Sequence, residues 1–186
     1  MGLQAFQHLI VNGQVLSPMY NPGEEIIQIV DRDNLETEAL PRRIMREQGL
    51  IHRACYILVF NEKQELFLQK RTDTKDVYPS CWDVAAGGVV LAGESYEKSA
   101  VRELAEELGV SEVPLTTHFD QYFEMDTNRV WGRIFSCVHN GPFQLQKEEV
   151  AFGYFMSIPE IFKLSEKEDF TPDGIDMLRK VDPRFS

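Results

Sequence analysis

Long apolar runs are missing from this chain: no stretch comes near the roughly 18 consecutive apolar residues that mark a membrane-spanning helix. A charged segment followed by an apolar core, the mark of a secretory leader, is missing too, so the expected location is cytoplasmic, with no membrane partner. Cysteine is scarce, with three residues at no metal-ligand spacing. Cys55 and Cys137 lie in apolar, strand-like runs and are expected to be buried, while Cys81, in the Tyr78-Pro79-Ser80-Cys81-Trp82 loop, has no nearby base to make it a nucleophile. Positive charge is in deficit, 19 Lys and Arg against 30 Asp and Glu, and the net charge of −11 argues against general nucleic-acid binding. Internal repeats and low-complexity tracts are also absent.

What is present suits one globular domain. Of the 186 residues, 43% are hydrophobic and 11% aromatic, enough for a substantial core. Residues 1–24 read as an N-terminal extension, with a hairpin around Asn12-Gly13, and residues 25–186 as the domain proper. Alternation and turn signals predict strands at 25–30, 53–60, 65–70, 82–86, 119–124, 129–138 and 151–156. Helices are predicted at 38–48, from just after Glu94 to Gly109, and at 159–164 and 172–180.

The segment from Gly88 to Val110, GVVLAGESYEKSAVRELAEELGV, carries the chemistry. On a helix, Glu103, Glu106 and Glu107 stand at i, i+3 and i+4 and share one face. Val101, Leu104, Ala105 and Leu108 read as an apolar stripe on the other side, and Gly109 suits a C-terminal cap. An ordinary amphipathic helix with a solvated charged face gives the same pattern. Two details favour a metal site instead. Three clustered like charges repel, with no Lys four residues after Glu103 or Glu107, and a hard divalent cation would remove that cost. Gly87-Gly88 and Gly93 also make a loop in which backbone carbonyls can approach an ion.

Gly88, five residues, Glu94, seven residues, Arg102-Glu103-Leu104, one residue, Glu106-Glu107, one residue, Gly109-Val110 resembles the Nudix hydrolase box at every fixed position. The resemblance implies an α/β fold, a Nudix-type α/β/α sandwich with a mixed β-sheet, that cleaves a diphosphate linkage in a nucleoside diphosphate-type or related small molecule. It implies Mg²⁺, with Mn²⁺ as a possible substitute, bound by Glu103, Glu106, Glu107 and the carbonyl of Gly87. It also implies that Arg102 pairs with Glu94 and holds Glu103 in place.

Leu50-Ile51-His52-Arg53-Ala54, Leu68-Gln69-Lys70-Arg71, Lys75, Pro79 and Trp82 look similar to the branch that contains isopentenyl-diphosphate isomerases. That likeness implies that Arg71 and Lys75 bind the substrate diphosphate. The isomerase machinery itself is not matched: Gly87 and Val89 stand where a Cys and a His are needed, and no Glu lies between Glu124 and Glu148. His52 matches an isomerase metal ligand but, without partners, reads as a packed, hydrogen-bonded histidine. For hydrolysis, Glu148 and Glu149 are candidate bases, with Glu106 or Glu107 as alternatives if one metal binds. Tyr122, Phe123 and Trp131 suit either a stacking surface or a core. An isomerase of allylic diphosphates and a non-catalytic Nudix-fold binding or regulatory module remain the other two readings, and a homodimer is left open.

Overall fold

Residues 54–60, Ala-Cys-Tyr-Ile-Leu-Val-Phe, form the kind of near-continuous apolar run that a strand buried on both faces requires. The computed structural model describes residues 9–11, 14–16, 21–126 and 128–181. Along the chain come β1 (Leu9–Val11) and β2 (Gln14–Leu16), then β3 (Ile26–Val30), β4 (Glu36–Pro41) and α1 (Arg42–Gln48). β5 (His52–Phe60), β6 (Leu66–Arg71), β7 (Trp82–Asp83) and β8 (Ala86–Val89) lead to α2 (Tyr96–Leu108). β9 (Thr116–Met125), β10 (Asn128–Val138), β11 (Val150–Met156), α3 (Ile158–Ser165) and α4 (Pro172–Val181) complete the described chain. β1 and β2 pair antiparallel; the Asn12-Gly13 turn read from the sequence lies outside the described residues.

The main sheet runs β11-β6-β5-β10-β9, with β3 and β8 also on β5, β7 on β6 and β4 on β3. β5 and β10 are parallel from His52↔Val130 to Phe60↔Val138, while the other pairings are antiparallel, so the sheet is mixed. β5 divides the core. Cys55, Ile57 and Val59 face α2, packing with Tyr96, Ala100, Leu104 and Leu108. Tyr56 and Leu58 face the other way, toward Ile158 and Ile161 of α3 and Met177 and Leu178 of α4. Helices thus cover both faces, the α/β/α sandwich, and each fully buried Leu or Ile contributes about 1.5–3 kcal/mol. Among the described residues no helix is long and apolar enough to cross a membrane.

Two sequence expectations are corrected. The helix read at 38–48 begins only at Arg42; Glu36–Pro41 pairs with β3 instead. Pro41 explains the boundary, since it disfavours helical geometry at Leu40 and its ring fits the position just before the first helical turn. On α2 the buried face is Tyr96, Ala100, Leu104, Glu107 and Leu108, while Val101 is 51% exposed and Ala105 is also on the surface. The stripe is rotated because the helix buries the i, i+4 row Tyr96, Ala100, Leu104 and Leu108, and Glu107, three residues after Leu104, turns inward beside that row. A smaller cluster of Ile27, Ile29, Met45 and Val89 docks α1 beside β8.

Candidate functional site

Helix α2 is fixed at both ends by local chemistry. Ser95 accepts a hydrogen bond from the Lys98 N–H at 3.3 Å, and Gly109 closes the helix in the left-handed conformation, φ 67°. Between these caps Glu103, Glu106 and Glu107 reach a cavity of about 60 Å³, whose walls also include Gly87, Gly88, Arg102, Lys75, Gln146 and Glu149.

The acidic face is not left free. Arg102 holds both oxygens of Glu94, with Nε 3.1 Å from Oε1 and Nη2 3.0 Å from Oε2. Its Nη1 donates to Glu103 Oε1 at 2.8 Å and Glu106 Oε2 at 3.1 Å. One guanidinium therefore ties the loop before α2 to two of its carboxylates, the planar fork being suited to such bridging. Glu107 is buried, accepts the Gly87 N–H at 3.0 Å, and has Lys75 Nζ 3.9 Å away; Lys75 also forms an ion pair with Glu149.

Two glycines make room for this packing. A side chain on Gly88 would place Cβ 2.4 Å from Glu103 Oε1, and one on Gly87, at φ 148°, would fall 2.0 Å from the Cys55 carbonyl oxygen. Burial, reinforced by the charge of Glu107, raises the Glu103 carboxyl to about 7. Burial also raises Glu107, against the opposing pull of Lys75 and the Gly87 N–H. Lys75 is lowered, again chiefly by burial.

These carboxylates suit a hard divalent cation: oxygen donors alone, crowded and partly buried, with the Glu103 carboxyl raised by burial and by Glu107. Among the described residues no three His, Cys, Asp or Glu side chains converge as a ready metal cage. The oxygens that would form one are turned toward Arg102 and Lys75. Binding an ion here requires Lys75 to give way, while Arg102, anchored on Glu94, keeps its hold on one oxygen each of Glu103 and Glu106.

The two candidate bases separate. Glu149 faces the carboxylate cavity through Lys75, whereas the Glu148 side chain is exposed and its backbone carbonyl accepts from Thr72 Oγ1 at 2.8 Å. Arg71 has a partner at each guanidinium nitrogen: Nε donates to the Tyr78 carbonyl at 3.2 Å, Nη2 to the Val77 carbonyl at 2.8 Å, and Nη1 to Asp83 Oδ2 at 3.1 Å. It braces the 77–78 loop. Cys55 and Cys137 are buried, and Cys81 is partly so, with burial pushing its thiol pKa up. His52 is buried, bonded through Nδ1 to the Leu50 carbonyl at 3.1 Å and lowered by burial to about 3, a neutral packed histidine. Tyr122 and Trp131 pack on each other, ring centroids 5.5 Å apart, and belong to the walls of neither this cavity nor the one behind it.

A second cavity of about 90 Å³ lies behind Gly87-Gly88 and brings in residues that sequence reasoning missed. The Tyr56 hydroxyl donates to Asp173 Oδ2 at 2.8 Å, Asp83 accepts from Arg71 and from Thr171 Oγ1 (3.2 Å), and Arg42, Arg46 and Asp76 complete the polar wall. A charged residue inside the buried run at 82–86 was the one local signal, at Asp83; Asp173 gives none, reading as an ordinary first-turn acid of α4.

The NUDIX domain profile matches residues 50–180. The chain is similar to an uncharacterised Nudix hydrolase of Pseudomonas aeruginosa, PA4841, at 42% identity over 83% of this chain and 92% of that protein. It is similar also to the uncharacterised Nudix hydrolase YfcD of Escherichia coli K12, at 43% over 83% of this chain and 84% of that one. Among solved structures, DR0079 from Deinococcus radiodurans shares the fold at TM-score 0.71 and 20% identity, covering 84% of this chain and 98% of that one. A MutT protein from Methanosarcina mazei aligns at TM-score 0.63 and 25% identity, over 72% and 94% of the two chains.

Proposed function

The chain belongs to the Nudix hydrolase family, and from that membership we propose that it hydrolyses the phosphoric anhydride bond of a small-molecule diphosphate, with Mg²⁺ or Mn²⁺ as cofactor. The single observation that carries this reading is the convergence on one cavity of Glu103, Glu106 and Glu107 from α2 with Glu149 from the loop before β11. Glu103, Glu106 and Glu107, with the carbonyl of Gly87, would hold the cation. When bound, the ion supplies charge neutralisation on the diphosphate oxygens and a lower pKa for the attacking water.

The remaining roles fall to the chain's own groups. Glu149, close enough to pair with Lys75, takes the proton from water; Glu148, on the exposed side of the same loop, is the weaker candidate. Arg102 orients Glu103 and Glu106 while pinned to Glu94. Lys75, drawn off Glu107 and Glu149 when a cation enters, becomes a point charge for the diphosphate. Arg71 contributes by holding the loop that carries Val77 and Tyr78 against the cavity.

A screen of nucleoside, dinucleotide, coenzyme A and isoprenoid diphosphates with Mg²⁺ and with Mn²⁺ tests the proposal, scored by metal-dependent release of phosphate, pyrophosphate or the two phosphomonoesters that dinucleotides and coenzyme A give. Metal-dependent release from at least one compound supports it. No release from any of them, by folded protein, removes it.

A further inference from the structure

Of the three arginines on helix α1, Arg43 pairs with Glu24 at the surface, while Arg42 and Arg46, one turn apart, stand at the site without a role in hydrolysis. Both reach the same oxygen of one carboxylate: Arg42 Nη2 lies 3.4 Å and Arg46 Nε 3.3 Å from Asp76 Oδ2. Arg42 has a second anionic partner, Glu25 at 3.1 Å. The other partner of Arg46 is the neutral Asn128 Oδ1 at 3.2 Å, and its Nε, though within ion-pair range of Asp76, is buried with no hydrogen bond formed. Neither side chain is more than a quarter exposed, 20% for Arg42 and 24% for Arg46. A buried guanidinium sharing half a carboxylate is under-compensated, and such a group gains most from an added anion. Burial lowers the Arg46 pKa in spite of Asp76, which agrees.

Their placement matters as much as their charge. Arg42 lines the carboxylate cavity, both arginines line the cavity behind Gly87-Gly88, and both line an open groove of about 460 Å³ with Thr74, Lys75 and Pro22. Arg42, Lys75 and Arg46 therefore connect the carboxylate cluster to the groove, interleaved with Asp76, Glu148 and Glu149. The groove falls within the roughly 300–1,000 Å³ range of small-molecule sites. Its exposed wall is largely apolar and framed by ionic side chains, which suits a moiety that carries both kinds of surface better than a bare prenyl chain, which would cover the ions without replacing their water.

We propose that Arg42 and Arg46 form an anion subsite that binds the substrate phosphoryl group lying beyond the carboxylate cluster, and that the adjoining groove takes an amphipathic moiety such as a nucleoside. The subsite rests on the reading of the chain as a diphosphate hydrolase. It adds a second grip on the diphosphate, from α1, to the point charge of Lys75, because Arg71 already has a protein partner at each nitrogen.

The test measures binding without turnover. Inorganic pyrophosphate is titrated calorimetrically into metal-free protein, wild type against Arg42→Gln, Arg46→Gln and Arg46→Lys, with Lys180→Gln on α4 as an exposed control. Losing one charge-assisted hydrogen bond weakens binding about tenfold or more, so both Gln variants are expected to show that loss, Arg46→Lys a smaller one, and the control none. Melting curves establish that each variant is folded; if Arg46→Gln is not, Arg42→Gln decides alone. ADP is expected to bind more tightly than pyrophosphate, and geranyl diphosphate no more tightly. Wild-type pyrophosphate affinity in the folded Gln variants, no pyrophosphate binding by the wild type, or a preference for geranyl diphosphate over ADP would each overturn the proposal. Because no step here needs catalysis, a failed product-release screen alongside these binding losses would remove the hydrolase reading and leave the subsite standing.

Discussion

The backbone N–H of Gly87 donates to Oε2 of Glu107 at 3.0 Å, joining the strand that enters the motif to the innermost carboxylate of its helix. That bond helps a buried carboxylate remain an acceptor in a site where burial alone favours its protonated form. It also fixes how far β8 stands from α2, and hence the width of the cavity into which Glu103 projects.

Replacing Glu103 or Glu107 with Gln keeps shape and most hydrogen bonding while removing a charge from the cluster. Hydrolysis is expected to fall by at least about a hundredfold in either variant, as for loss of one preorganised electrostatic group. Thermal melts should still show a cooperative transition, since Leu104 and Leu108 keep their packing. Wild-type initial rates in folded Glu103→Gln and Glu107→Gln would remove these residues from the site.

Mg²⁺ is expected to stabilise the folded protein, by about 2.7 kcal/mol at a free concentration one hundred times Kd. The effect depends on pH through Glu103, which burial and Glu107 raise to about 7. Below that value a proton must leave before the cation binds, so affinity drops about tenfold per pH unit; above it affinity levels off. Calorimetry at pH 6 and pH 8 checks this, and equal affinities at the two would contradict the assignment of Glu103.

The site's acidic motif was legible because its residues are close in sequence and their helical spacing converts directly into a shared face. The partners of those residues were not. Lys75 meets Glu107 and Glu149 only because the loop after β6 folds over the end of α2, and Arg42 and Arg46 reach the site only because Met45 docks α1 beside β8. Most of the strands were readable from the apolar run of β5 and the alternation around it, whereas the sandwich was implied by the resemblance of the Gly88–Val110 segment. Rotation of α2 was not, since Val101 and Leu104 are equally apolar and only contact with Tyr56's strand selects between them. Residues 36–41 look helical in composition but are committed to β3 by hairpin pairing and by Pro41.

Glu149→Gln should lower the maximal rate by about two to four orders of magnitude, the range for a general base. Glu148→Gln, altering an exposed side chain, should leave it within about twofold. The pair of rate measurements tests the separation seen in the structure, and the reverse pattern would move the base to Glu148.

Arg71→Ala is expected to destabilise the fold by about 3–5 kcal/mol, because it leaves the buried Asp83 without its cation. Denaturant unfolding gives the number. A stable variant whose only defect is weaker substrate binding would instead make Arg71 a direct diphosphate ligand.

Asp173 has its carboxyl raised to about 6 by burial and by Asp83. The native state then holds a proton that the unfolded chain, near the ordinary value of about 3.9, has already released, so stability falls as pH rises from about 4 to 6. Asp173→Asn should remove that decline, by about 1–3 kcal/mol across the window. Parallel slopes of stability against pH in variant and wild type would show that Asp173 does not titrate there.

Product release from the best substrate of the screen, with metal-stripped protein and Mg²⁺ added back stepwise, tests most directly whether the carboxylates of α2 make this chain a cation-dependent diphosphate hydrolase. The expected result is no turnover without the cation, saturable recovery with it, and no recovery in Glu107→Gln. Equal turnover with and without Mg²⁺, or full recovery in Glu107→Gln, would contradict it.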